Sequence, residues 1–354
     1  MSAATDGRRP RTASALPRAE TSWIAGRVLR PVTVAFAVVA IGCAVLDVAG
    51  TRVPMAAQLI PFAVSILVFG LPHGALDHLV IARLDRRAGR TRSIVIAVAV
   101  YGVVGAATFA LWCVAPAAGF AAFIAIIWFH WGQGDLWVDR LLGDGATGRG
   151  GSVVTVAARG ALPMILPLAT QPDAYAAVVD RTTALLGTGA HPSPTLHVGA
   201  AVRIAAATVV VVLLVAHLVV VHRSGATMTR QVGETVVLAA FFALVPPVLA
   251  VGLYFTLWHA VRHIVRLELL DPVAAGQLRR RELLRPFLRF ARQAWPITAI
   301  AVAMLVVLGV ALRRVDLGVY LILIAALTTP HTVIVAWMDR RQRTWGPPVE
   351  ETRP

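Results

Sequence analysis

The amino-acid sequence predicts an all-α fold: a polytopic membrane bundle of about eight to ten transmembrane helices with a histidine-lined metal site in its core. Hydrophobic residues make up 58% of the 354 positions and charged residues only 14%, about half the charged fraction of a soluble domain. Apolar runs long enough to span a bilayer recur from Pro31 to Met338. Short alternating segments, typical of a membrane β-barrel, do not account for this pattern. Six of the ten histidines lie in four compact motifs within these runs or at their ends.

The apolar runs can be delimited one after another along the chain. The predicted spans are 31–50, 55–76, 93–116, 118–138, 152–170, 198–222, 232–250, 251–269, 295–312 and 316–338. The fifth span is the weakest, because Arg159 and two prolines interrupt it. The seventh and eighth join through the sequence VPPV with almost no loop, so they also fit a single kinked element. These two ambiguities give the range of eight to ten.

The positive charge predicts how the bundle is oriented. The sequence contains no lysine, so all 33 basic residues are arginines, and the formal net charge is +15. Most arginines lie between the apolar runs, on one side if ten spans are counted, which predicts a multi-pass protein of the cell membrane with a cytoplasmic N-terminus. Arg313 and Arg314 lie on the opposite side. Because the basic residues follow membrane topology, we do not expect nucleic-acid binding.

The same pattern predicts three regions. Residues 1–30 read as an Arg-rich, disordered cytoplasmic tail, because they have no apolar core of their own. Residues 31–340 read as one transmembrane catalytic domain. Residues 341–354 read as a short polar C-terminal tail.

The motif WHAVRH carries the sharpest local signal for a metal. His259 and His263 are four residues apart, so both side chains project from one face of a helix. That spacing suits two ligands on one metal ion. A hydrogen-bonding pair between helices is an equally good interpretation of this motif alone.

Two further motifs place a histidine near a carboxylate. In PHGALDH, Asp77 follows His73 by four residues, and in FHWGQGD, Asp135 follows His130 by five. A carboxylate at this distance can accept the second imidazole N–H and so orient a ligand, and Asp77 is the expected partner of His73. Helix capping or pairing with arginine explains the carboxylates equally well. The proline and glycine that flank His73 predict a local break in the helix.

These histidines are expected to share a partner, because burying several imidazoles without one is costly. Convergence of four helices would give a metal site in the bundle core, and imidazole suits Fe, Cu and Zn. Aromatic residues such as Trp131 and Trp258 adjoin the motifs. They predict an apolar channel for a long conjugated or isoprenoid lipid, although an interfacial aromatic belt is the alternative.

Taken in order, the motifs GLPHGALDH, FHWGQGD, WHAVRH and TPHTVIVAWMD resemble the Brp/Blh family of membrane-integral β-carotene 15,15'-dioxygenases. The resemblance covers about residues 55–340. It implies that O₂ cleaves β-carotene at its central 15,15' double bond to give two molecules of all-trans-retinal, with Fe(II) as the only cofactor. It also suggests a functional link to a retinal-binding rhodopsin.

The resemblance also implies roles for individual residues. Transferred motif by motif, it makes four histidines the catalytic iron ligands: His73, His130, His259 and His263. Other residues of the motifs are expected beside these ligands or in the substrate pocket: Asp77, His78, Asp135, Trp131, Trp258 and His331.

Other protein classes remain open on the sequence. A membrane diiron hydroxylase or desaturase would need more histidine boxes than the single HxxxH found here. A b-type haem carrier would use pairs of histidines on facing helices. A non-enzymatic alternative is a transporter or a rhodopsin-biogenesis or regulatory factor, in which the histidines relay protons or only pack.

Overall fold

A computed structural model describes residues 17–85, 88–185, 197–311, 313 and 317–346 of the chain. Within these ranges the regular structure is entirely helical, which agrees with the predicted all-α class. The helices, numbered here in chain order, are α1 (Arg18–Val48), α2 (Met55–Leu67), α3 (Gly70–Gly74), α4 (Asp77–Leu84), α5 (Arg90–Val114), α6 (Pro116–Leu142), α7 (Gly148–Met164), α8 (Leu166–Thr170), α9 (Pro172–Ala184), α10 (Ala200–Arg223), α11 (Met228–Leu244), α12 (Pro247–Leu270), α13 (Pro272–Arg279), α14 (Leu284–Ala311) and α15 (Leu317–Gln342).

Seven helical segments in the described ranges are long and apolar enough to cross a membrane, which confirms a polytopic membrane bundle. They are α1, the segment Met55–Leu84, α5, α10, α12, α14 and α15. The three other predicted spans are also helical. Two of them, α7 and α11, are 17 residues long, whereas α6 has 27 residues and carries the polar sequence FHWGQGD in its buried second half.

The first helix begins at Arg18, well before residue 30, where the sequence predicted the disordered tail to end. The physical reason is burial: Ile24 and Leu29 pack against Trp137 and Val138 of α6. Residues 1–16 lie outside the described ranges. So do residues 186–196, a stretch with several Gly and Pro residues that contains His191.

Burial separates central helices from peripheral ones. In the apolar stretch of α12, 72% of the residues are buried, against 22% in α10. The outer faces of α10 and α14 expose valine and isoleucine side chains such as Val211 and Val306. In a bilayer these side chains face lipid. The central helices α6, α12 and α15 therefore carry the side chains that the lipid cannot reach.

Close packing of α6 against α7 depends on two glycines. A Cβ atom at Gly132 would collide with the carbonyl oxygen of Val156, and one at Gly160 would collide with that of Trp128. Small residues allow membrane helices to approach this closely. The contact fixes the part of α6 that carries His130.

Two irregular segments deliver the other histidines. The helix that starts at Met55 is interrupted after Leu67, and the five-residue α3 then carries His73, so the break predicted around Pro72 is observed. Within α12, Tyr254–His259 form a π-helical turn. The turn ends at His259, the first histidine of the WHAVRH pair. Such turns occur frequently at functional sites.

Candidate metal centre

Five buried imidazole rings meet where α3, α6, α12 and α15 approach one another. The ring centroids of His73 lie 5.3 Å from those of His259, 5.5 Å from His263 and 4.9 Å from His331. His130 lies 4.6 Å from His259 and 4.9 Å from His331. The structure thus brings together the four histidines expected as ligands and adds His331 to them.

The WHAVRH pair has the geometry that its spacing predicts. The rings of His259 and His263 are nearly parallel, with an interplanar angle of 15° and a centroid separation of 6.4 Å. Both side chains project from one face of α12 toward His73, because they are separated by about one helical turn. Both residues are almost fully buried.

Hydrogen bonds fix the protonation of two rings. His331 Nδ1 lies 2.7 Å from Asp77 Oδ2, and His73 Nδ1 contacts the Gly70 carbonyl oxygen. A carboxylate or a carbonyl oxygen only accepts, so Nδ1 of each ring carries the proton. In the neutral tautomer with this proton on Nδ1, the lone pair that a metal requires is on Nε2.

Unpartnered imidazole nitrogens gather at this centre. The buried Nε2 atoms of four of the rings have no hydrogen-bond partner among the described residues: His130, His259, His263 and His331. Nitrogen atoms of His73, His130 and His331 lie within 4.8 Å of one another. Several buried imidazoles with unpartnered nitrogens suit a divalent first-row metal, so the residues fit the Fe(II) that the family resemblance implies.

The carboxylates of the two motifs have different partners from those expected. Asp77 was expected to orient His73, but its Oδ2 accepts from His331 and from the Tyr101 hydroxyl at 2.8 Å. The expected pairing with His73 is therefore wrong. The short helix α3 ends before Asp77, so the four-residue spacing does not bring the two side chains onto one helix face.

Asp135 also lies away from the histidine that precedes it. Its Oδ1 accepts from Trp258 Nε1 at 2.9 Å and lies 3.4 Å from Arg262 Nε. The Arg262 guanidinium covers the Trp258 ring, 3.6 Å from the centroid. Asp135 therefore bonds to Trp258 on α12 and does not bond to His130.

His78 lies outside the imidazole cluster. It is half-buried, and its Nδ1 pairs with the Ala75 carbonyl oxygen at 2.9 Å. No described ring contact joins it to the five central histidines. By contrast, Trp131 packs against His259, 5.9 Å between centroids.

An apolar cavity of about 930 Å³, its open mouth included, ends at the histidines. Two of the imidazoles, His73 and His130, line the cavity, and Trp131 and Phe255 stand beside them. Apart from Thr328, the rest of the wall is aliphatic, proline and aromatic, and it comes from α6 and from six further helices: α2, α7, α8, α9, α12 and α15. A concave, mostly apolar site with a few polar groups is typical of small-molecule binding.

A buried ionic cluster lies beside the histidines, and the sequence interpretation did not anticipate it. Arg266 donates to Asp339 Oδ1 at 2.7 Å, and both side chains are almost fully buried. Arg262 lies 3.5 Å from Glu234, and Arg159 lies 3.8 Å from the same carboxylate. The sequence contained one indication of this cluster: in WHAVRHIVR, Arg262 and Arg266 are four residues apart, as the two histidines are.

His217 belongs to this second polar region and not to the metal centre. It is completely buried, and its ring pairs with Thr155 at 3.3 Å and with Gln231 at 3.2 Å. His331 and Tyr101 were the residues of the centre that sequence reasoning underrated. His331 had a usable signal, because it follows a proline in an apolar span just as His73 does.

The fold and the site define a class: a multi-pass membrane protein with a buried cluster of imidazoles at the end of an apolar cavity. A family model described as beta-carotene 15,15'-dioxygenase matches residues 64–339, and the chain belongs to this family. It is therefore an enzyme of the carotenoid dioxygenase type, and the resemblance of the motifs is confirmed.

The chain is similar to two curated proteins of Halobacterium salinarum. It is 39% identical to the probable beta-carotene 15,15'-dioxygenase Blh, over 90% of this chain and 95% of the relative. It is 28% identical to the probable beta-carotene 15,15'-dioxygenase Brp, over 85% of this chain and 89% of the relative. No solved structure matches the chain.

Proposed function

We propose that this protein cleaves β-carotene at its central 15,15' double bond with O₂ and releases two molecules of all-trans-retinal. The reaction balances without another reductant: one carbon–carbon double bond breaks, two carbonyl groups form, and each takes one atom of O₂. The observation that carries the proposal is that an apolar, aromatic cavity ends at a cluster of buried imidazoles. Family membership points to the same reaction.

Four imidazoles are proposed to hold Fe(II): His73, His130, His259 and His263. All four are buried, and the ring centroid of His73 lies 5.3 Å from that of His259 and 5.5 Å from that of His263, while His130 lies 4.6 Å from His259. The Nε2 atoms of His130, His259 and His263 have no hydrogen-bond partner among the described residues. Bound Fe(II) would supply the redox chemistry that allows O₂ to react with the polyene. Neutral imidazoles leave the charge of a divalent ion uncompensated, which suits a site that keeps a position open.

The cavity walls are proposed to position the polyene. A hydrocarbon offers no hydrogen-bonding group, so its register in the site has to come from shape and from the depth of the cavity. Trp131 and Phe255 stand next to the histidines and flank the place where the reacting double bond would lie. The apolar lining also excludes water from the site.

The membrane supplies the setting of the proposed reaction. β-Carotene dissolves in the bilayer, so the substrate would enter the cavity from lipid and the retinal would return to it. We place the protein in the cell membrane with its N-terminus in the cytoplasm, since the arginine-rich helix ends then lie on the inner side. Retinal release into the bilayer would serve a retinal-binding rhodopsin in the same membrane.

Expression in bacteria that accumulate β-carotene tests the proposal. Cells that make the protein should lose their orange colour and accumulate retinal, measured by chromatography of the extracted lipids. Cells that make the His259→Ala variant at the same level should keep their colour. Persistent colour in cells with folded, iron-loaded wild-type protein would contradict the enzyme proposal and favour a non-enzymatic role in rhodopsin biogenesis.

A further inference from the structure

We infer that His331 is a fifth metal ligand and that Asp77 and Tyr101 position it. The inference deepens the proposed function, because it concerns the metal of the same site. The four proposed ligands come from α3, α6 and α12, so a fifth from α15 would tie another central helix to the metal. Its test uses metal binding, which is measured separately from carotene cleavage.

The position of His331 is the first argument. Its ring centroid lies 4.9 Å from His73, 4.9 Å from His130 and 5.0 Å from His263. Two groups of metal-binding side chains have ligand atoms within 4.8 Å of one another, and His331 belongs to both. One group contains His73 and His130, and the other contains His263 and Asp77. Because His331 belongs to both groups, it lies close to all the other side chains in them.

The protonation of His331 is the second argument. Its Nδ1–H donates to Asp77 Oδ2 at 2.7 Å, which selects the tautomer whose lone pair is on Nε2 when the ring is neutral. That Nε2 is buried and has no hydrogen-bond partner among the described residues. A carboxylate on the far nitrogen is the usual companion of a metal-binding histidine, since it fixes the ring and raises its basicity.

Tyr101 completes the positioning pair. Its hydroxyl donates to the same Asp77 Oδ2 at 2.8 Å, so this oxygen accepts two hydrogen bonds from two helices. Asp77 is itself buried and begins α4. The two bonds restrain the carboxylate, which in turn restrains the His331 ring. If His331 only packed, its Nε2 would be a buried acceptor without a donor, which is unfavourable.

Cobalt titration of the purified full-length protein in detergent tests the assignment. Co(II) reports coordination through the intensity of its visible absorption, which falls as the coordination number rises. His331→Ala should weaken Co(II) affinity by more than about 100-fold and increase the absorption per bound ion. Free imidazole should partly restore affinity and the wild-type spectrum. The matched control is His217→Ala, which removes a buried histidine outside the cluster and should change neither.

The positioning pair is tested with two conservative variants. Asp77→Asn should weaken Co(II) binding by about 10- to 100-fold, and Tyr101→Phe by less. A loss in Asp77→Asn as large as in His331→Ala, with Tyr101→Phe unaffected, would make Asp77 itself the ligand and overturn its positioning role. If His331→Ala does not fold, His331→Gln replaces it in the same titration, monitored by size-exclusion chromatography.

The outcomes separate the two proposals. Wild-type affinity and spectrum in a folded His331 variant, together with loss of binding in His259→Ala, would overturn the role of His331 and leave the four-histidine proposal standing. If the wild-type protein binds no Co(II) or Fe(II), both proposals fail. Metal binding that depends on His331 in a protein that does not cleave β-carotene would support the ligand assignment and contradict only the proposed reaction.

Discussion

The helix α12 presents two pairs of polar residues with the same spacing on adjoining faces, and the pairs have opposite relations to their surroundings. The rings of His259 and His263 lie beside three more imidazoles, and their buried Nε2 atoms have no hydrogen-bond partner in the described part of the chain. Arg262 and Arg266 are equally buried, but each is paired with a carboxylate of another helix. Burial of polar groups is common to both regions. The regions differ in pairing. In the proposed ligand site unpartnered imidazole nitrogens converge, whereas in the ionic cluster the charged groups pair with one another.

The largest expected effect is on the histidine face. His259→Ala or His263→Ala should abolish iron binding and retinal formation, because each removes one proposed ligand from the buried site. Iron content by elemental analysis and retinal by chromatography measure the two effects. The control is His222→Ala, at the exposed end of α10, which should keep both properties. Full activity in either α12 variant would show that the ligand assignment is wrong.

The next effect separates metal binding from substrate positioning. Ile127 lines the cavity one helical turn before His130, so Ile127→Trp should obstruct the polyene and lower the rate of β-carotene cleavage by about 100-fold. Iron content should stay at the wild-type level. The matched control is Ile300→Trp on the exposed face of α14, which should have no effect. Unchanged cleavage in Ile127→Trp would mean that the substrate does not use this cavity.

The arginine face should respond in stability and not in metal content. Arg266→Met leaves Asp339 charged and buried, with a cost of about 3–5 kcal/mol in the free energy of unfolding. Adding Asp339→Asn removes the unpaired charge, so the double variant should recover part of the loss. Denaturant unfolding in detergent measures the cycle, and iron content measures the site. Loss of iron without loss of stability would move this pair into the metal centre.

The sequence predicted the histidine face much better than the arginine face. The spacing of His259 and His263 suits a ligand role, the family resemblance implies the same role for His73 and His130, and all four reach one centre. The partner of His331 could not be predicted, because Asp77 is 254 residues away and meets it only through the packing of α15 against α4 and α5. Local spacing instead suggested His73, and the interruption after α3 removed the face that this pairing needed.

The ionic cluster escaped prediction for a related reason. A single arginine in an apolar span, such as Arg159, reads as a weak span or an interfacial residue. Its partners Gln231 and Glu234 are on α11, far away in the sequence. Similarly, nothing in the apolar sequence around Tyr254–His259 distinguishes a π-helical turn from an ordinary α-helix. Helix existence follows from composition, whereas the pairing of buried charges depends on tertiary contacts.

The smallest expected effect lies outside the membrane spans, at the start of α13. Asp271 caps this helix, accepting from the backbone N–H of Val273 at 2.9 Å, and Asp271→Ala should lower the free energy of unfolding by about 1 kcal/mol. Burial alone would raise the pKa of Asp271, but Arg289 and Arg83 outweigh it and lower the pKa. The ion-pair contribution is therefore present at neutral pH and is lost as the pH falls through the lowered pKa. Thermal unfolding of wild type and variant should converge in acid.

The central claim is that the imidazole cluster at the end of the apolar cavity cleaves β-carotene symmetrically. Purified iron-loaded protein should be given β-carotene in detergent while an oxygen electrode and chromatography follow the reactants and products. We expect two molecules of retinal for each β-carotene and each O₂ consumed. Apocarotenals of unequal length, or β-carotene that persists beside folded and iron-loaded protein, would contradict it.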